Sequence, residues 1–181
     1  MKIYNYILLF IFAIMLFTNC YKQPVYPPEP KIDFRQIVVI DSVEPDLGNV
    51  VHYYNIYFKI VDGDGNFGVN TDSKDFVDSL AEENFFIDLY YLDNGNIFLY
   101  EFPEDINLNG IIPYVDPVGL NDYYKALVIC NLEVPITLPY PVKFEFYVED
   151  NDKNRSNTQS TPWIEPGFTG ALVDTNNIII D

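Results

Sequence analysis

The segment Val51–Val61, with the sequence VHYYNIYFKIV, determines the fold that we expect of this chain. Its large apolar residues recur at every second position: Tyr54, Ile56, Phe58 and Ile60. This is the period of a β-strand that buries one face and exposes the other. The segment Val142–Val148, VKFEFYV, alternates in the same way, with Val and Phe on one side and Lys, Glu and Tyr on the other. Both segments predict strands of antiparallel sheets with one packed face.

Further strands are predicted on either side by short runs rich in Val, Ile, Tyr and Phe, separated by Gly, Asn, Asp and Pro. These runs are Ile32–Ser42, Phe85–Leu92, Ile97–Phe102, Tyr124–Val134 and Thr158–Ile164. Asn94-Gly95 between two of them suits the positive φ angles of a type I′ hairpin turn. Six or seven short strands predict one all-β domain over residues 31–166, a two-sheet sandwich of the immunoglobulin or fibronectin-III type.

Two segments lie outside this predicted sandwich. Asp72–Asn84 is the one plausible helical turn. Residues 167–181 form a C-terminal extension, which is either an extra strand at Asn177–Ile180 or a loose tail.

The charge balance excludes one broad class of partner. The chain has 27 Asp and Glu against 10 Lys and Arg, a formal net charge of −17. A field of this sign repels phosphate backbones and anionic lipid headgroups, so we expect no nucleic-acid partner.

The N-terminus has the pattern of an export signal. Lys2 precedes the apolar run Ile7–Phe17, which is too short to cross a bilayer as a helix. The following residues, Leu16-Phe17-Thr18-Asn19-Cys20, resemble a bacterial lipobox, although Phe17 and Asn19 depart from its usual residues. The resemblance implies cleavage of residues 1–19, acylation of Cys20 and attachment to the outer membrane, in a leaflet that the sequence leaves open. An ordinary signal peptide and an uncleaved anchor are the alternatives.

Residues 20–30 are predicted to be the lipid anchor and its tether. Tyr21–Pro30, YKQPVYPPEP, contains four prolines, which stiffen an extended chain. If Cys20 is acylated, Cys130 is the remaining thiol, and its apolar surroundings favour a structural role in a strand.

The sharpest chemical motif is Asp62–Gly68, DGDGNFG, directly after the Val51 strand. Oxygen-bearing side chains at Asp62, Asp64 and Asn66 suit a hard cation such as Ca²⁺. The motif begins like an EF-hand loop and then departs from it, so an acidic β-turn is the alternative interpretation. In an immunoglobulin-like sandwich the loop after the Val142 strand lies at the same end, which makes Asp150 and Asp152 further candidate ligands.

Phe58–Gly68, together with Glu149–Asn157 and Thr161-Pro162, resembles a group of Bacteroidota lipoproteins that have an Ig-like domain and no established activity. The resemblance implies the fold and a location in the cell envelope, and no reaction. Asp41-Ser42-Val43 and Asp78-Ser79-Leu80 are similar to the O-glycosylation acceptors of these bacteria, so Ser42 and Ser79 are candidate modification sites.

Catalysis finds little support in the sequence. The single histidine, His52, has no cysteine nearby, and acidic pairs such as Glu82-Glu83 and Glu104-Asp105 do not specify a glycosidase cleft. We expect a non-catalytic binding or assembly module with a protein partner, accessory to an outer-membrane complex. The alternative is a surface protein that binds or cleaves glycans, which the many aromatic residues favour, although most of them fall at core positions of strands.

Overall fold

A computed structural model describes Tyr4 and residues 24–43, 50–71, 82–104, 106–114, 123–134 and 138–174. The strands of this part of the chain are β1 (Lys31–Val43), β2 (Val50–Asp62), β3 (Phe85–Asp93), β4 (Asn96–Leu99), β5 (Tyr124–Val134), β6 (Val142–Val148), β7 (Gln159–Ser160) and β8 (Gly170–Val173). Among the described residues there is no helix long and apolar enough to cross a membrane.

The strands form two antiparallel sheets of four strands each. One sheet has the order β5-β2-β1-β8, and the other has the order β4-β3-β6-β7. With β1 to β7 taken as strands A, B, C, C′, E, F and G, these orders are the E-B-A and C′-C-F-G sheets of an immunoglobulin-like domain. The predicted all-β sandwich is therefore confirmed.

The core lies between the two sheets and is rich in aromatic rings. Phe58 of β2 is fully buried and stacks on Phe85 of β3, with ring centroids 5.8 Å apart. The Phe58 ring also packs against Phe146 of β6, at a centroid distance of 5.2 Å. The alternation read in β2 and β6 therefore identified the packed faces of both sheets.

A β-bulge reverses the inward-facing positions within β1. Ile32 and Phe34 are buried near its start, whereas Ile37 and Val39 are buried further along. The register against β2 shifts between Phe34 and Gln36, which adds one residue to β1. Since strand side chains alternate between faces, one extra residue moves the buried set from even to odd positions.

The two-residue turn between β3 and β4 matches its prediction. Asn94 and Gly95 have φ angles of 50° and 80°, the two positive values that a type I′ turn needs. The strand after it ends earlier than predicted, at Leu99.

Two C-terminal elements also differ from the prediction. The strand expected at Thr158–Ile164 is reduced to β7 and an isolated bridge between Ile164 and Val142, and Pro162 lies between them. Part of the predicted extension, Gly170–Val173, pairs with β1 as β8 and covers the edge of that strand. The helical turn is described only from residue 82, where it is not helical, and the strand at residues 177–180 lies outside the described part.

The C-terminal part of the proline-rich segment packs against the domain. The ring of Tyr26 meets the ring of Tyr123 edge-on, at 5.0 Å between centroids, and Pro30 is buried. The chain also passes so close to Gly63 that a Cβ there would overlap the carbonyl oxygen of Pro27. From Tyr26 onward the predicted tether therefore lies against the sandwich.

Candidate cation site at the acidic end of the sandwich

The loops after β2 and β6 meet at one end of the sandwich, as the fold predicts. The Asn66 side-chain amide donates hydrogen bonds to Asp64 Oδ2 at 3.2 Å and to Asp152 Oδ2 at 2.9 Å. We call Asp62, Asp64, Asn66, Asp150 and Asp152 the acidic end. The structure thus brings together the residues that the sequence analysis proposed as cation ligands.

Asp62, the last residue of β2, carries the most unusual carboxylate of the acidic end. Its exposed fraction is 0 %, and neither side-chain oxygen has a hydrogen-bond partner. Burial, and to a lesser degree the negative charges of Asp64 and Asp150, raise its pKa from 3.8 to about 7. The Asp64 carboxyl and the Asn66 backbone N–H lie close enough to affect this pKa, but their geometry does not satisfy a hydrogen bond.

Asn66 contributes a third buried oxygen without a donor. Its side-chain nitrogen is used by Asp64 and Asp152, while its Oδ1 is buried and has no hydrogen-bond partner. Buried acceptors without donors cost free energy, and buried carboxylates without a counter-charge cost more. A cation bound beside Asp62 would supply the counter-charge that its buried carboxylate lacks.

Asp150 is buried like Asp62 but is fully occupied in a turn. Its Oδ1 accepts the backbone N–H of Asn154 and its Oδ2 accepts the side-chain amide of Asn154, both at 2.8 Å. Lys153, with a φ of 67°, allows the chain to reverse there, and its ammonium pairs with Glu82. Asp150 therefore acts on Asp62 through its charge.

A cation at the acidic end needs ligands besides the carboxylates. Within the described part of the chain, no three His, Cys, Asp or Glu side chains form a group that could hold a metal ion. Ca²⁺ takes six to eight oxygens and accepts amide carbonyls, backbone carbonyls and water among them. Such a mixed ligand set could be supplied by Asp62, Asp64 and Asn66. Asp152 contacts this set by accepting a hydrogen bond from the Asn66 side-chain amide.

The second part of the lipoprotein-like motif stabilises the fold. Ser156 Oγ accepts the backbone N–H of Val148 at 3.0 Å, and Thr161 Oγ1 accepts that of Phe144 at 3.0 Å. The Asn157 side chain accepts a hydrogen bond from the Ile32 N–H and donates one to the Ile32 carbonyl oxygen, both at 2.9 Å. A neighbouring strand would make the same two bonds. These side chains replace ladder bonds beyond the short strand β7.

The other candidate residues either make polar contacts away from the acidic end or lie outside the described part of the chain. His52 Nδ1 is 2.7 Å from Asp41 Oδ1. Glu83 accepts from Asn109 at 3.0 Å and also from Asn107. Ser42 is exposed within the paired strand β1, whereas Ser79, Cys20 and Asp105 are not among the described residues.

Cys130 is in β5 and is mostly buried. Desolvation by burial raises the pKa of its thiol to about 12. The thiol therefore stays protonated near neutral pH, in agreement with a packing role.

The outer face of the β4-β3-β6-β7 sheet carries aromatic rings that the sequence analysis identified only in part. Phe86 and Tyr147 stack at 4.9 Å between centroids. The Lys143 ammonium lies over the rings of both Tyr90 and Trp163, at 5.5 and 5.4 Å. Of these rings, the alternation in Val142–Val148 placed Tyr147 on the outer side, whereas Phe86 and Trp163 were assigned no outward position.

Comparison with protein-family models, with curated proteins and with solved structures finds no match to this chain.

Proposed function

We propose that this chain is a lipid-anchored, non-catalytic binding or assembly module of the cell envelope, and that its acidic end binds Ca²⁺. The observation that carries the proposal is the Asp62 carboxylate, which is fully buried and lacks any hydrogen-bond partner. A site of this kind stabilises the arrangement of loops at one end of a sandwich, where immunoglobulin-like domains present their binding loops.

The envelope location is supported by the sequence. The lipobox-like residues before Cys20 and the proline-rich segment after it favour an acylated outer-membrane protein. The residues from Phe58 to Gly68 resemble those of Bacteroidota lipoproteins with an Ig-like domain, which supports the same location.

A binding role is favoured because the groups that catalysis would use are committed to structure. His52 is paired with Asp41, and Asp150 is held by Asn154. Glu82 is paired with Lys153 across the acidic end.

The proposed role is tested by crosslinking in native membranes. The intact chain should co-purify with a defined outer-membrane complex in Ca²⁺ and lose it in EDTA, and the double variant Asp62→Asn/Asp64→Asn should lose it in both. If the wild type recovers the same amount of the complex in Ca²⁺ and in EDTA, partner binding does not depend on the acidic end.

Glycan binding is the second candidate, and the aromatic outer face favours it. The rings of Phe86, Tyr90, Tyr147 and Trp163 lie along one sheet face with Lys143 between two of them. All four rings are half-buried, and Arg155 lies over the ring of Tyr147 at 3.5 Å. A sugar would therefore stack on the open parts of the other rings, and a nearby cation and carboxylate can bond its hydroxyl groups. A glycan array with wild type and Trp163→Ala, combined with hydrolysis assays, separates this candidate from the first.

A further inference from the structure

A cleft of about 710 Å³ lies at the surface beside the packed proline-rich segment. The alternation that buries Ile32 and Ile60 places Lys31, Lys59 and Lys125 on the outer face of the β5-β2-β1-β8 sheet, where they line this cleft. Tyr26, Pro27 and Glu29 form its other wall. The cleft is thus built by a sheet face and by the segment that enters the domain.

The cleft concentrates positive charge on a strongly acidic protein. Its basic lining residues are Lys31, Arg35, Lys59 and Lys125, which are four of the ten Lys and Arg of the whole chain. Its acidic lining residues are Glu29 and Asp33, so the lining has an excess of positive charge. Chance placement on a chain of net charge −17 does not favour such a cluster.

Arg35 shows that this charge is incompletely satisfied. Its Nη2 pairs with Asp33 Oδ2 at 2.8 Å, whereas its Nε is buried and has no hydrogen-bond partner. A guanidinium presents its donors in a rigid fork that matches the oxygens of a phosphate group. The Arg35 side chain is 29 % exposed and lines the cleft, so its guanidinium can meet a phosphate group there.

We propose that this cleft binds the phosphate group of an anionic lipid headgroup. The choice of a lipid rests on the proposed anchor. Five residues lie between Cys20 and Tyr26, so six Cα-to-Cα steps span at most about 21 Å when fully extended. An acyl chain on Cys20 would therefore keep the wall of the cleft close to the headgroups of the bilayer.

The overall negative charge does not prevent this contact. At 0.1 M salt the Debye length is about 10 Å, so acids further away are largely screened while the lining cations act directly on the ligand. Binding should weaken as salt rises, because the contact is electrostatic.

The test uses the full mature chain with Cys20→Ser, which carries no acyl groups. It is mixed with phosphatidylcholine vesicles that contain or lack phosphatidylglycerol, and separately with pyrophosphate. We expect binding to the phosphatidylglycerol vesicles alone, and at least a tenfold weaker affinity in Lys59→Gln/Lys125→Gln. The matched control Lys143→Gln/Lys153→Gln makes the same change of charge elsewhere and should stay within twofold of the starting chain.

Each other outcome overturns a stated part of the proposal. Cleft-dependent binding of pyrophosphate without vesicle binding would support phosphate recognition and reject the lipid as its source. An equal loss in the control would reject the cleft, and no binding of either probe would reject the site. If the double variant does not fold, the exposed single substitution Lys125→Gln replaces it, with an expected loss of at least threefold. Acylation of Cys20 is measured separately by fatty-acid labelling, so failure of the anchor and failure of the cleft are distinguishable.

Discussion

The side-chain amide of Asn66 donates a 2.9 Å hydrogen bond to the carboxylate of Asp152, which lies 86 residues further along the chain. This bond joins the loops after β2 and β6. The same amide bonds Asp64 at 3.2 Å, so one neutral side chain holds two carboxylates that would otherwise repel each other. Asp62 receives no such donor, and the first two predictions concern its buried charge.

Chelation should destabilise the protein if Ca²⁺ occupies the acidic end. At a tenfold excess of Ca²⁺ over Kd, binding stabilises the native state by about 1.4 kcal/mol. EDTA should therefore lower the Tm by about 3–6 °C, measured at fixed NaCl because salt also screens the acids.

The matched variants locate this effect. Asp62→Asn/Asp64→Asn should show the same Tm in EDTA and in Ca²⁺. Asp88→Asn/Glu165→Gln, which removes two exposed acids, should keep the wild-type difference. A wild type that melts at one temperature under both conditions would show that the loop is only an acidic turn.

The buried carboxyl of Asp62 should make stability depend on pH when Ca²⁺ is absent. Its pKa is about 7 in the folded state against an ordinary value of 3.8, so the native state holds the proton more tightly. The stability that this proton gives is complete below pH 4 and is lost as pH rises through 7. The free energy of unfolding in EDTA should fall between pH 5 and 8 by up to about 2.5 kcal/mol, because pH 5 lies two units below the folded pKa and each unit is worth about 1.4 kcal/mol.

Asp62→Asn provides the sharpest comparison for this pH effect. In EDTA at pH 8 it should be more stable than the wild type, and in saturating Ca²⁺ it should lose that advantage. Asp88→Asn, of an exposed acid, should keep the wild-type slope. Parallel urea-unfolding curves for all three chains across this pH range would contradict the assignment to Asp62.

The core prediction concerns Phe58, whose ring is fully buried between the sheets. Phe58→Ala should lower the free energy of unfolding by about 3–5 kcal/mol, because it leaves a cavity among Phe85 and Phe146. Phe98→Ala, at a site that is 43 % exposed, should cost less than about 1 kcal/mol. Urea unfolding measures both, and similar costs would refute the position of the core.

Cys130 should be inert towards alkylation in the native state. Burial holds the pKa of its thiol at about 12, and the thiolate is the reactive form. In the chain with Cys20→Ser, iodoacetamide at pH 8 should label Cys130 slowly until urea unfolds the protein. Labelling of the native chain at the rate of a free cysteine would contradict this burial.

Gly63 should control the docking of the proline-rich segment. A Cβ at Gly63 would overlap the carbonyl oxygen of Pro27, so Gly63→Ala should displace the chain around Tyr26. Elastase should then cut after Val25, next to Tyr26, several times faster than in the wild type. Gly110→Ala is the matched control, because a Cβ there meets nothing within 4 Å. Equal cleavage of all three chains would argue against docking.

The parts of the fold that the sequence predicted are those with local signals. The bounds of β5 and β6 match the predicted segments, and Asn94-Gly95 forms the expected turn. Strand β8 was not predicted, because its four residues, Gly170–Val173, are too few to show an alternation of apolar and polar side chains. Its position is set by the open edge of β1, which is a tertiary property.

The same distinction applies to the two sites. The grouping at the acidic end was predictable because its residues are close in sequence within two loops, and the strand order then placed those loops together. The basic cleft was not predictable, because Lys31, Lys59 and Lys125 come from three strands and share no spacing. Only the register between the strands brings them to one face.

The docking of Tyr26 and Pro30 limits the reach of the domain. With an acyl group on Cys20, the spacer outside the folded part would be no longer than about 21 Å, even when fully extended. A spacer of this length is about half of the ~43 Å over which the 13-residue strand β1 extends. The module would therefore stay close to its own bilayer and could not reach a distant surface. A partner would have to be a resident of the same membrane or be delivered to it.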